Sequence, residues 1–371
     1  MRPRLLALIL VLTGLCLPLF SHASSPPAKE QTVNHPAKDS PLIPRRYLPA
    51  MPTSMTLCGQ PVPLNLPFVA EMLDREFNIA VHEQAQVVMW LKRGARYFPY
   101  ISKKLKEAGL PDDLKYLAVA ESSLIKGVRS WAGAVGVWQF MPETGRRYGL
   151  RKDHWFDDRR NPEKATAAAV AYLKDLHKLF GSWPLAMAAY NCGEKRVQKE
   201  IKEQGIKDYY QLYLPDETMR YVFRVLAAKI ILEKPERYGY HLPAEQLYRP
   251  VNADTITLSL KRSLHLRSLA QASGATVREL KELNPEILNY FLPAGNHAIK
   301  LPAGKANGIP ARLAGMKPDP EPPAKEWTVK SGETLSVIAK KNGLKIDDLR
   351  KANNLKGTLI KPGQKLIIPV K

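Results

Sequence analysis

Apolar residues recur every three or four positions through most of residues 57–240, which is the spacing of helices that bury one face. The segment from Pro162 to Gly181 is a clear example, with a proline suited to a first turn and a glycine suited to a stop. The segment that begins at Arg220 and carries Tyr221 has the composition of a core helix. This part of the chain is therefore predicted to be a mainly α-helical domain.

One short helix places a carboxylate on its apolar face. Pro111 fits its first turn, and Leu114, Leu117 and Ala118 form a stripe at helical spacing that Glu121 continues. A carboxyl group among apolar neighbours has a raised pKa, which is the property a general acid needs near neutral pH. A partly exposed glutamate near a frayed helix end explains this helix equally well.

The next candidate segment is rich in glycine, aromatic residues and one amide. Gly133 and Gly136 allow positive φ angles or a close backbone approach. Trp138 and Phe140 offer flat apolar faces, and Gln139 offers both hydrogen-bond donors and acceptors. Sugars need this mixture of apolar faces and amides. The alternative is a loop that simply packs under a helix.

A third segment predicts a short helix that opens at Trp183 and ends at Gly193. Tyr190 and Asn191 would then project near the C-terminal end of that helix. As an isolated tripeptide the Tyr-Asn pair is a weak signal, so its weight comes from its order relative to the other two segments.

Together the three segments resemble the motifs of the soluble-lytic-transglycosylase family. The matching stretches are Glu121-Ser122, then residues 136–142, then Ala189-Tyr190-Asn191, in this order and at similar spacing. The resemblance covers roughly residues 57–240 and implies a mainly α, lysozyme-like catalytic domain. It also implies that the substrate is the glycan strand of peptidoglycan.

The resemblance carries roles to individual positions. Glu121 matches the catalytic acid, and Tyr190 matches a tyrosine that hydrogen-bonds near it. Other matched positions are expected to contact or orient the saccharide: Ser122, Gln139, Met141, Asn191 and Tyr221.

A second carboxylate is not clearly positioned by the sequence. Glycosidases usually employ two, yet the available residues, Asp157, Asp158, Glu143 and Glu194, lie outside the matched motifs. Glu121 alone would then act as acid and afterwards as base, so that the C6 hydroxyl of the substrate closes a 1,6-anhydro ring without water. Two alternatives stay open: a water-using muramidase on the same scaffold, and a non-catalytic wall-binding protein.

The last third of the chain contains an internal repeat. Leu266, Gly274 and Asn284 recur as Leu335, Gly343 and Asn353 at a constant shift of 69 residues, and each copy reads as a βααβ unit. The second copy, residues 326–370, resembles a LysM module, which implies binding to glycans that contain N-acetylglucosamine. The first copy, residues 254–302, is a divergent LysM-like module that either binds glycan or acts as a spacer. The proline-rich residues 303–325 are predicted to be a semi-rigid linker.

The N-terminal residues indicate export. Arg2 and Arg4 precede a leucine-rich run, and a small-x-small site ends at Ala23, so residues 1–23 are predicted to be a signal peptide. Residues 24–56 have the composition of a flexible tether. Leu15 stands before Cys16 where a lipid-modification site usually has a small residue. We therefore expect an exported protein of the periplasm or cell envelope, with membrane attachment left open.

The charge of the chain restricts its partners. The formal net charge is +21, and the loss of two arginines with residues 1–23 leaves +19. Such a surface favours acidic cell-wall polymers or an anionic membrane, since no nucleic-acid motif is present. No cofactor is expected, and no Cys/His spacing resembles a metal site. Cys58 and Cys192 would form either a disulfide or two buried thiols in an oxidising compartment.

Overall fold

The computed structural model describes residues 49–320 and 325–368. A mainly helical domain comes first, and two small α+β modules follow it. The predicted signal peptide and most of the predicted tether lie outside the described residues. Within the described part of the chain, no helix combines the length and the apolar composition needed to cross a membrane.

The helical domain opens with a small antiparallel pair, β1 (Thr56–Leu57) and β2 (Gln60–Pro61). Its α-helices are, in chain order, α1 (Pro67–His82), α2 (Gln84–Glu107), α3 (Lys115–Ser122), α4 (Pro142–Arg147), α5 (Pro162–Phe180), α6 (Trp183–Cys192), α7 (Glu194–Gln204) and α8 (Asp216–Glu233). Short 3₁₀ turns stand before α3 and α5 and after α8, at Asp112–Leu114, Asp158–Arg160, Pro235–Tyr238 and Ala244–Gln246.

Helix α8 lies at the centre of this domain, and α1, α3 and α6 pack against it. Its residues from Val222 to Ile231 are buried almost without interruption, as expected for a helix covered on all sides. The predicted bounds of α5 are confirmed. The side chain of Asn161 caps the first backbone N–H groups of α5, and Gly181 ends the helix with a φ of 69°.

The first module is built on a long antiparallel pair. Strand β3 (Ala253–Leu260) pairs along its whole length with β6 (Gly295–Pro302). Between them lie β4 (Leu264–His265), α9 (Leu266–Ser273), α10 (Val277–Leu283) and β5 (Phe291–Leu292), and β4 pairs with β5. This arrangement confirms the predicted βααβ order and adds a second short strand pair.

The predicted linker is wrong over its first part. Residues after 302 form α11 (Ile309–Ala314), which packs against α9 of the first module. Ile309 is fully buried, Arg312 Nε donates to Ala272 O at 2.5 Å, and Asp319 accepts from the backbone N–H of His265 at 2.8 Å. The proline content concealed an apolar helix face, and Pro310 itself sits in the first turn, where proline is tolerated.

The second module repeats the βααβ order with β7 (Lys325–Thr328), α12 (Leu335–Lys341), α13 (Ile346–Ala352) and β8 (Lys365–Ile368). The repeated asparagines make equivalent hydrogen bonds in both modules. Asn284 Oδ1 accepts from Lys300 N at 2.8 Å, and Asn353 Oδ1 accepts from Ile367 N at 2.5 Å. In each copy the amide ties the end of the second helix to the last strand, which confirms the repeat.

The first module is docked on the helical domain. Phe156 is buried in the core of the module, although it precedes α5 in the chain. The backbone N–H of Asp157 donates to Glu286 O at 2.8 Å, and Asn161 Nδ2 donates to the Glu286 carboxylate at 2.9 Å. Lys126 pairs with Glu282 at 2.6 Å across the same boundary. The module therefore holds the segment that leads into α5.

Candidate active site

Glu121 lies in the last turn of α3, on the face that the sequence predicts to be buried. Leu114, Leu117 and Ala118 are all fully buried below it. The helix ends abruptly at Ser123, whose φ is 51°. Trp90 Nε1 donates to Ser123 Oγ at 3.0 Å, and Arg93 donates to its carbonyl at 3.0 Å. These contacts from α2 fix the helix end and with it the position of Glu121.

Glu121 opens into a cavity of about 560 Å³. The volume is within the range of roughly 300–1,000 Å³ that is typical of ligand pockets. The structure brings six of the seven predicted site residues into its wall: Glu121, Gln139, Met141, Tyr190, Asn191 and Tyr221.

Among the residues that the structure describes, the carboxyl group of Glu121 has one hydrogen-bond partner, the hydroxyl of Tyr221, which donates to Oε1 at 2.6 Å. Burial raises the pKa of Glu121 from its ordinary 4.5 to about 7, and the negative charge of Glu217 adds to this effect. The Tyr221 hydrogen bond and the charge of Arg224 oppose it. Glu121 is thus a carboxyl group that titrates close to neutral pH.

Tyr190 is placed beside this carboxyl group by helix α6, whose predicted bounds are confirmed. Its hydroxyl donates to Trp138 O at 2.8 Å rather than to Glu121. Burial raises the pKa of Tyr190 well above its ordinary value, and the charge of Glu121 adds to the rise. Both tyrosines near Glu121 therefore stay neutral, and Tyr221 is the one that hydrogen-bonds to the acid.

The loop that carries Gln139 is tightly folded. Gly136 has a φ of 89°, and a Cβ atom there would lie 1.9 Å from the carbonyl oxygen of Arg159. This position therefore requires glycine. Gln139 has a φ of 46°, and its Nε2 donates to Gly136 O at 2.8 Å and to Val128 O at 3.3 Å. A left-handed backbone at a non-glycine residue is frequent at functional sites.

The aromatic residues of this loop are not the open sugar faces that the sequence suggests. Trp138 is fully buried, and its indole N–H donates to Thr166 Oγ1 at 2.9 Å. Phe140 is also buried, although it contributes to the cavity wall. The loop turns these rings inward onto α5, so their burial stabilises the loop rather than presenting a surface.

A buried ion pair holds the loop from behind. Asp157 and Arg159 pair at 2.7 Å, and Arg159 Nη1 also donates to Gly133 O at 3.0 Å and to Phe140 O at 2.9 Å. Asp158 pairs with Lys164 at 2.8 Å and accepts from a backbone N–H. These two aspartates are therefore part of the scaffold, and they do not line the cavity.

Ser122 is the predicted site residue that the structure does not bring to the cavity. It is buried, and its hydroxyl donates to Val137 O at 2.8 Å and to Ala118 O at 3.2 Å. Because Ser122 follows Glu121 on the helix, its side chain points to a different side. The contact with Val137 instead ties α3 to the loop that carries Gln139.

Asn191 and Gln139 leave complementary groups for a ligand. Thr218 Oγ1 donates to Asn191 Oδ1 at 2.8 Å, so the amide nitrogen of Asn191 is its remaining group. For Gln139 the amide nitrogen is bonded within the loop, so its carbonyl oxygen is left. Among the described residues, these two atoms have no hydrogen-bond partner. One side chain thus offers a donor and the other an acceptor.

Sequence reasoning missed two charged residues of the cavity wall, Glu217 and Arg224. Both lie on α8, four residues before and three residues after Tyr221, so they share its helix face. That spacing was the available signal. Of the four carboxylates considered from the sequence, only Glu194 lines the cavity, whereas Glu143 is an exposed residue outside it.

The two cysteines are free thiols in the structure, so the disulfide hypothesis gains no support. Burial raises the pKa of Cys58 and that of Cys192, which makes both poor nucleophiles near neutral pH. Cys192 lines the cavity next to Asn191, but its hydrogen-bond partner is a backbone carbonyl.

Three family models match the chain: the Transglycosylase SLT domain over residues 98–213, the Lytic transglycosylase MltD, LysM-like domain over residues 254–317, and the LysM domain over residues 327–369. The chain carries an SLT domain and two LysM-type modules. All the cavity residues predicted from the motifs, except Tyr221, lie within the SLT match. The MltD LysM-like match extends to residue 317 and so includes α11.

The chain is a homologue of membrane-bound lytic murein transglycosylase D from Escherichia coli strain K12, with 35% identity over 292 residues. The matched region is 74% of this chain and 64% of that relative. A putative tributyltin chloride resistance protein from Alteromonas sp. is 32% identical over 129 residues, which are 34% of this chain and 62% of the relative. Among solved structures, the 70 kDa soluble lytic transglycosylase from Escherichia coli matches with a TM-score of 0.34 and 20% identity, over 48% of this chain and 33% of that chain.

Proposed function

We propose that this protein is a lytic transglycosylase that cleaves the β-1,4 bond between N-acetylmuramic acid and N-acetylglucosamine in peptidoglycan. The observation that carries the proposal is the placement of Glu121 in the wall of a cavity of ligand size, with the Tyr221 hydroxyl as its partner and with burial that raises its pKa to about 7. A carboxyl group that holds a proton can donate it to a glycosidic oxygen, and the MltD homologue and SLT domain supply the substrate class.

The first step transfers the Glu121 proton to the bridging oxygen, and the bond between that oxygen and the anomeric carbon breaks. The anomeric carbon belongs to the N-acetylmuramic acid residue. The acetamido oxygen of that residue then bonds to the anomeric carbon, and the positive charge moves to the ring that this bond closes. The amides of Asn191 and Gln139 are suited to orient this group, since one offers a donor to its carbonyl oxygen and the other an acceptor to its N–H.

In the second step the ionised Glu121 removes the proton of the C6 hydroxyl. The C6 oxygen attacks the anomeric carbon and displaces the acetamido oxygen, which closes the 1,6-anhydro ring and returns the proton to Glu121. Tyr221 supports both stages because its hydroxyl stabilises the carboxylate form without pairing it with a full charge. No water is consumed, and one glutamate serves both steps.

Other parts of the chain fit a cell-envelope enzyme. The second module would bind N-acetylglucosamine-containing glycan and hold the enzyme on its substrate. The predicted signal peptide and the strongly basic composition favour an exported protein in contact with acidic wall polymers. The membrane-bound character in the name of the E. coli relative makes attachment to the membrane a reasonable extension.

The test is mass spectrometry of muropeptides after digestion of purified peptidoglycan. We expect wild type to release products one water lighter than reducing muropeptides, and Glu121→Gln to lose about 10²–10⁴-fold of the rate. Glu143→Gln is the matched control, because it makes the same change at an exposed glutamate outside the cavity. Near-normal turnover by Glu121→Gln would refute the assignment.

A water-using muramidase is the second candidate, because two further glutamates, Glu194 and Glu217, line the cavity. Reducing products in the same digest would favour it. The roles of these two residues would then be separated by Glu194→Gln and Glu217→Gln, with loss of reducing products expected for the residue that activates water.

A further inference from the structure

The rim of the cavity carries an exposed tryptophan. The side chain of Trp131 has a relative exposure of 101%, which is the highest among the large apolar residues that the structure describes. Tryptophan is normally buried over most of its surface, because it exposes a large apolar area to water. Trp131 nevertheless lines the same cavity as Glu121. Its exposure beside the candidate reaction site indicates that a ligand covers it.

A rigid turn presents Trp131. The backbone N–H of Gly133 donates to Ser130 O, that of Ser130 donates to Ala134 O, and that of Ala134 donates to Ser130 Oγ, each at 3.0 Å. Gly133 has a φ of 90° and its carbonyl accepts from the buried Arg159. The backbone under the indole is thus held in place before any ligand arrives, which lowers the entropic cost of binding.

The same loop connects Trp131 to the floor of the cavity. Val135 pairs with Arg129 on one side and with Phe140 on the other, so the turn and Gln139 belong to one continuous hydrogen-bonded unit. Ser130, Trp131 and Gln139 all line the cavity, and of these three residues Trp131 is the one that is fully exposed. A polymer bound at Glu121 must leave the cavity over its rim.

The size of the exposed apolar surface restricts the occupant. Trp131 and the partly exposed Met141 are the large apolar side chains of the cavity wall that face solvent. A stable protein interface buries about 1,200–2,000 Å² in total, far more than these two side chains offer. One flat indole instead matches the apolar C–H face of a single pyranose ring, whose hydroxyls remain in water.

We propose that Trp131 is a stacking platform for one pyranose ring of the glycan strand, at a subsite on the rim of the cavity beyond the bond that is cleaved. The proposal rests on the proposed function in that it takes the glycan strand as the ligand. Trp131 contributes binding and does not take part in proton transfer, so its loss weakens capture of substrate more than it slows the chemical step.

The kinetic test compares Trp131→Ala, Trp131→Phe and Tyr213→Ala in the full chain on soluble, uncross-linked glycan strands. We expect Trp131→Ala to lower kcat/KM about tenfold with kcat changed by less than about twofold, and the phenylalanine variant to recover most of the loss. Tyr213 is a matched control because it is 72% exposed and lies outside this cavity. An unchanged kcat/KM in Trp131→Ala, or an equal loss of kcat that phenylalanine does not rescue, would overturn the proposal.

A binding test separates this inference from the proposed function. In the Glu121→Gln background, soluble glycan strands are added while tryptophan emission is followed, with and without the second change Trp131→Phe. The other five tryptophans, including Trp327 of the LysM module, are common to both proteins. We expect a blue shift that disappears with Trp131→Phe, and identical emission changes would contradict the subsite. A Trp131-dependent shift without cleavage by wild type would instead refute the proposed reaction alone.

Discussion

Two glutamates in one cavity wall have pKa values that their surroundings shift in opposite directions. Glu121 lies at the C-terminal end of α3, partly buried, with a neutral tyrosine as its partner, and its pKa is raised to about 7. Glu194 is the first residue of α7, and its carboxylate meets Arg147 at 2.9 Å and Tyr172 at 3.2 Å. Burial acts to raise the pKa of Glu194, but its backbone N–H, Arg147 and Tyr172 outweigh this effect and lower it.

The positions of the two residues along their helices act in the same direction as these contacts. The negative end of the α3 dipole disfavours a carboxylate near Glu121, whereas the positive end of α7 favours one at Glu194. One residue type thus supplies a proton donor and a fixed negative charge within the same cavity. Glu121 can therefore exchange a proton near neutral pH, whereas Glu194 stays ionised and holds the cavity wall through its contacts.

The largest expected effect is on stability. The pKa of Glu121 in the folded state exceeds its ordinary 4.5, so the folded state loses stability as pH rises from about 4.5 through 7, by about 3 kcal/mol in total. Glu121→Gln removes this loss. Its free energy of unfolding relative to wild type should therefore increase by that amount between pH 4 and pH 8, as measured by urea denaturation.

Glu194→Gln is the opposite case in the same experiment. Its lowered pKa contributes stability that is present at neutral pH and is lost as pH falls. We expect this variant to be less stable than wild type by about 1 kcal/mol at pH 7, with the gap closing in acid. If the stabilities of the two variants relative to wild type changed with pH in the same direction, the pKa shifts of Glu121 and Glu194 would not be opposite.

The next effect concerns the tyrosine that hydrogen-bonds to Glu121. Tyr221→Phe removes a bond that lowers the pKa of Glu121, so that pKa should rise. Because the proposed reaction starts from protonated Glu121, the alkaline limb of kcat/KM should move up by about half to one pH unit. Tyr209→Phe is the control, since its buried hydroxyl bonds to carbonyls of α8 and not to Glu121. A limb that stays in place would contradict the assigned pKa.

The smallest effect comes from the exposed charge of Glu217. This charge raises the pKa of Glu121, so Glu217→Gln should move the same limb to lower pH, by about 0.3 unit or less at physiological salt. The shift should be larger at low ionic strength, because salt screens an exposed charge. Measuring the pH profile at two salt concentrations checks this, and an upward shift would be inconsistent with the charge arrangement.

The sequence predicts the helices of the site well because local pattern dominates there. The apolar stripe of α3, the proline start and glycine stop of α5, and the proline and glycine around α6 are all local signals, and each is confirmed. The position of Glu121 on a buried face follows from the same pattern. Its partner Tyr221 comes from a helix one hundred residues later, so the pattern of α3 alone could not reveal it.

The predictions fail where tertiary contacts decide. The sequence suggests that Trp138 and Phe140 offer open apolar faces to a sugar, but the loop turns both rings onto α5, and the exposed ring is that of Trp131. Ser122 was expected at the substrate because it stands beside the acid, yet the helical rotation between neighbours directs it to Val137. Neither the residue type nor its position next to a catalytic residue predicts where a side chain points.

The two LysM-type modules also differ in a way that the sequence predicts only in part. In the second copy Glu333 accepts from the Trp327 indole at 2.9 Å and pairs with Lys341 at 2.7 Å. The first copy has Leu258, Leu264 and Ala272 at the three equivalent positions, all in or against its apolar core. The divergence is visible in the sequence.

What replaced the lost polar contacts is not visible in the sequence. Glu286 and Ile287 of the first copy are buried, and both contact the segment before α5. In the second copy the equivalent of Ile287 is Lys356, which is exposed. Docking depends on Phe156, which is far away in the chain. This contact supports the spacer alternative for the first module, which the sequence left open.

The proposed mechanism depends on the protonation of Glu121, which difference infrared spectroscopy can measure. Spectra of wild type minus Glu121→Gln, recorded across pH, isolate the carbonyl stretch of this one carboxylic acid. We expect the band to disappear with a midpoint of about 7. A midpoint near the ordinary 4.5 would mean that Glu121 is ionised at neutral pH, and the single-glutamate mechanism would fail.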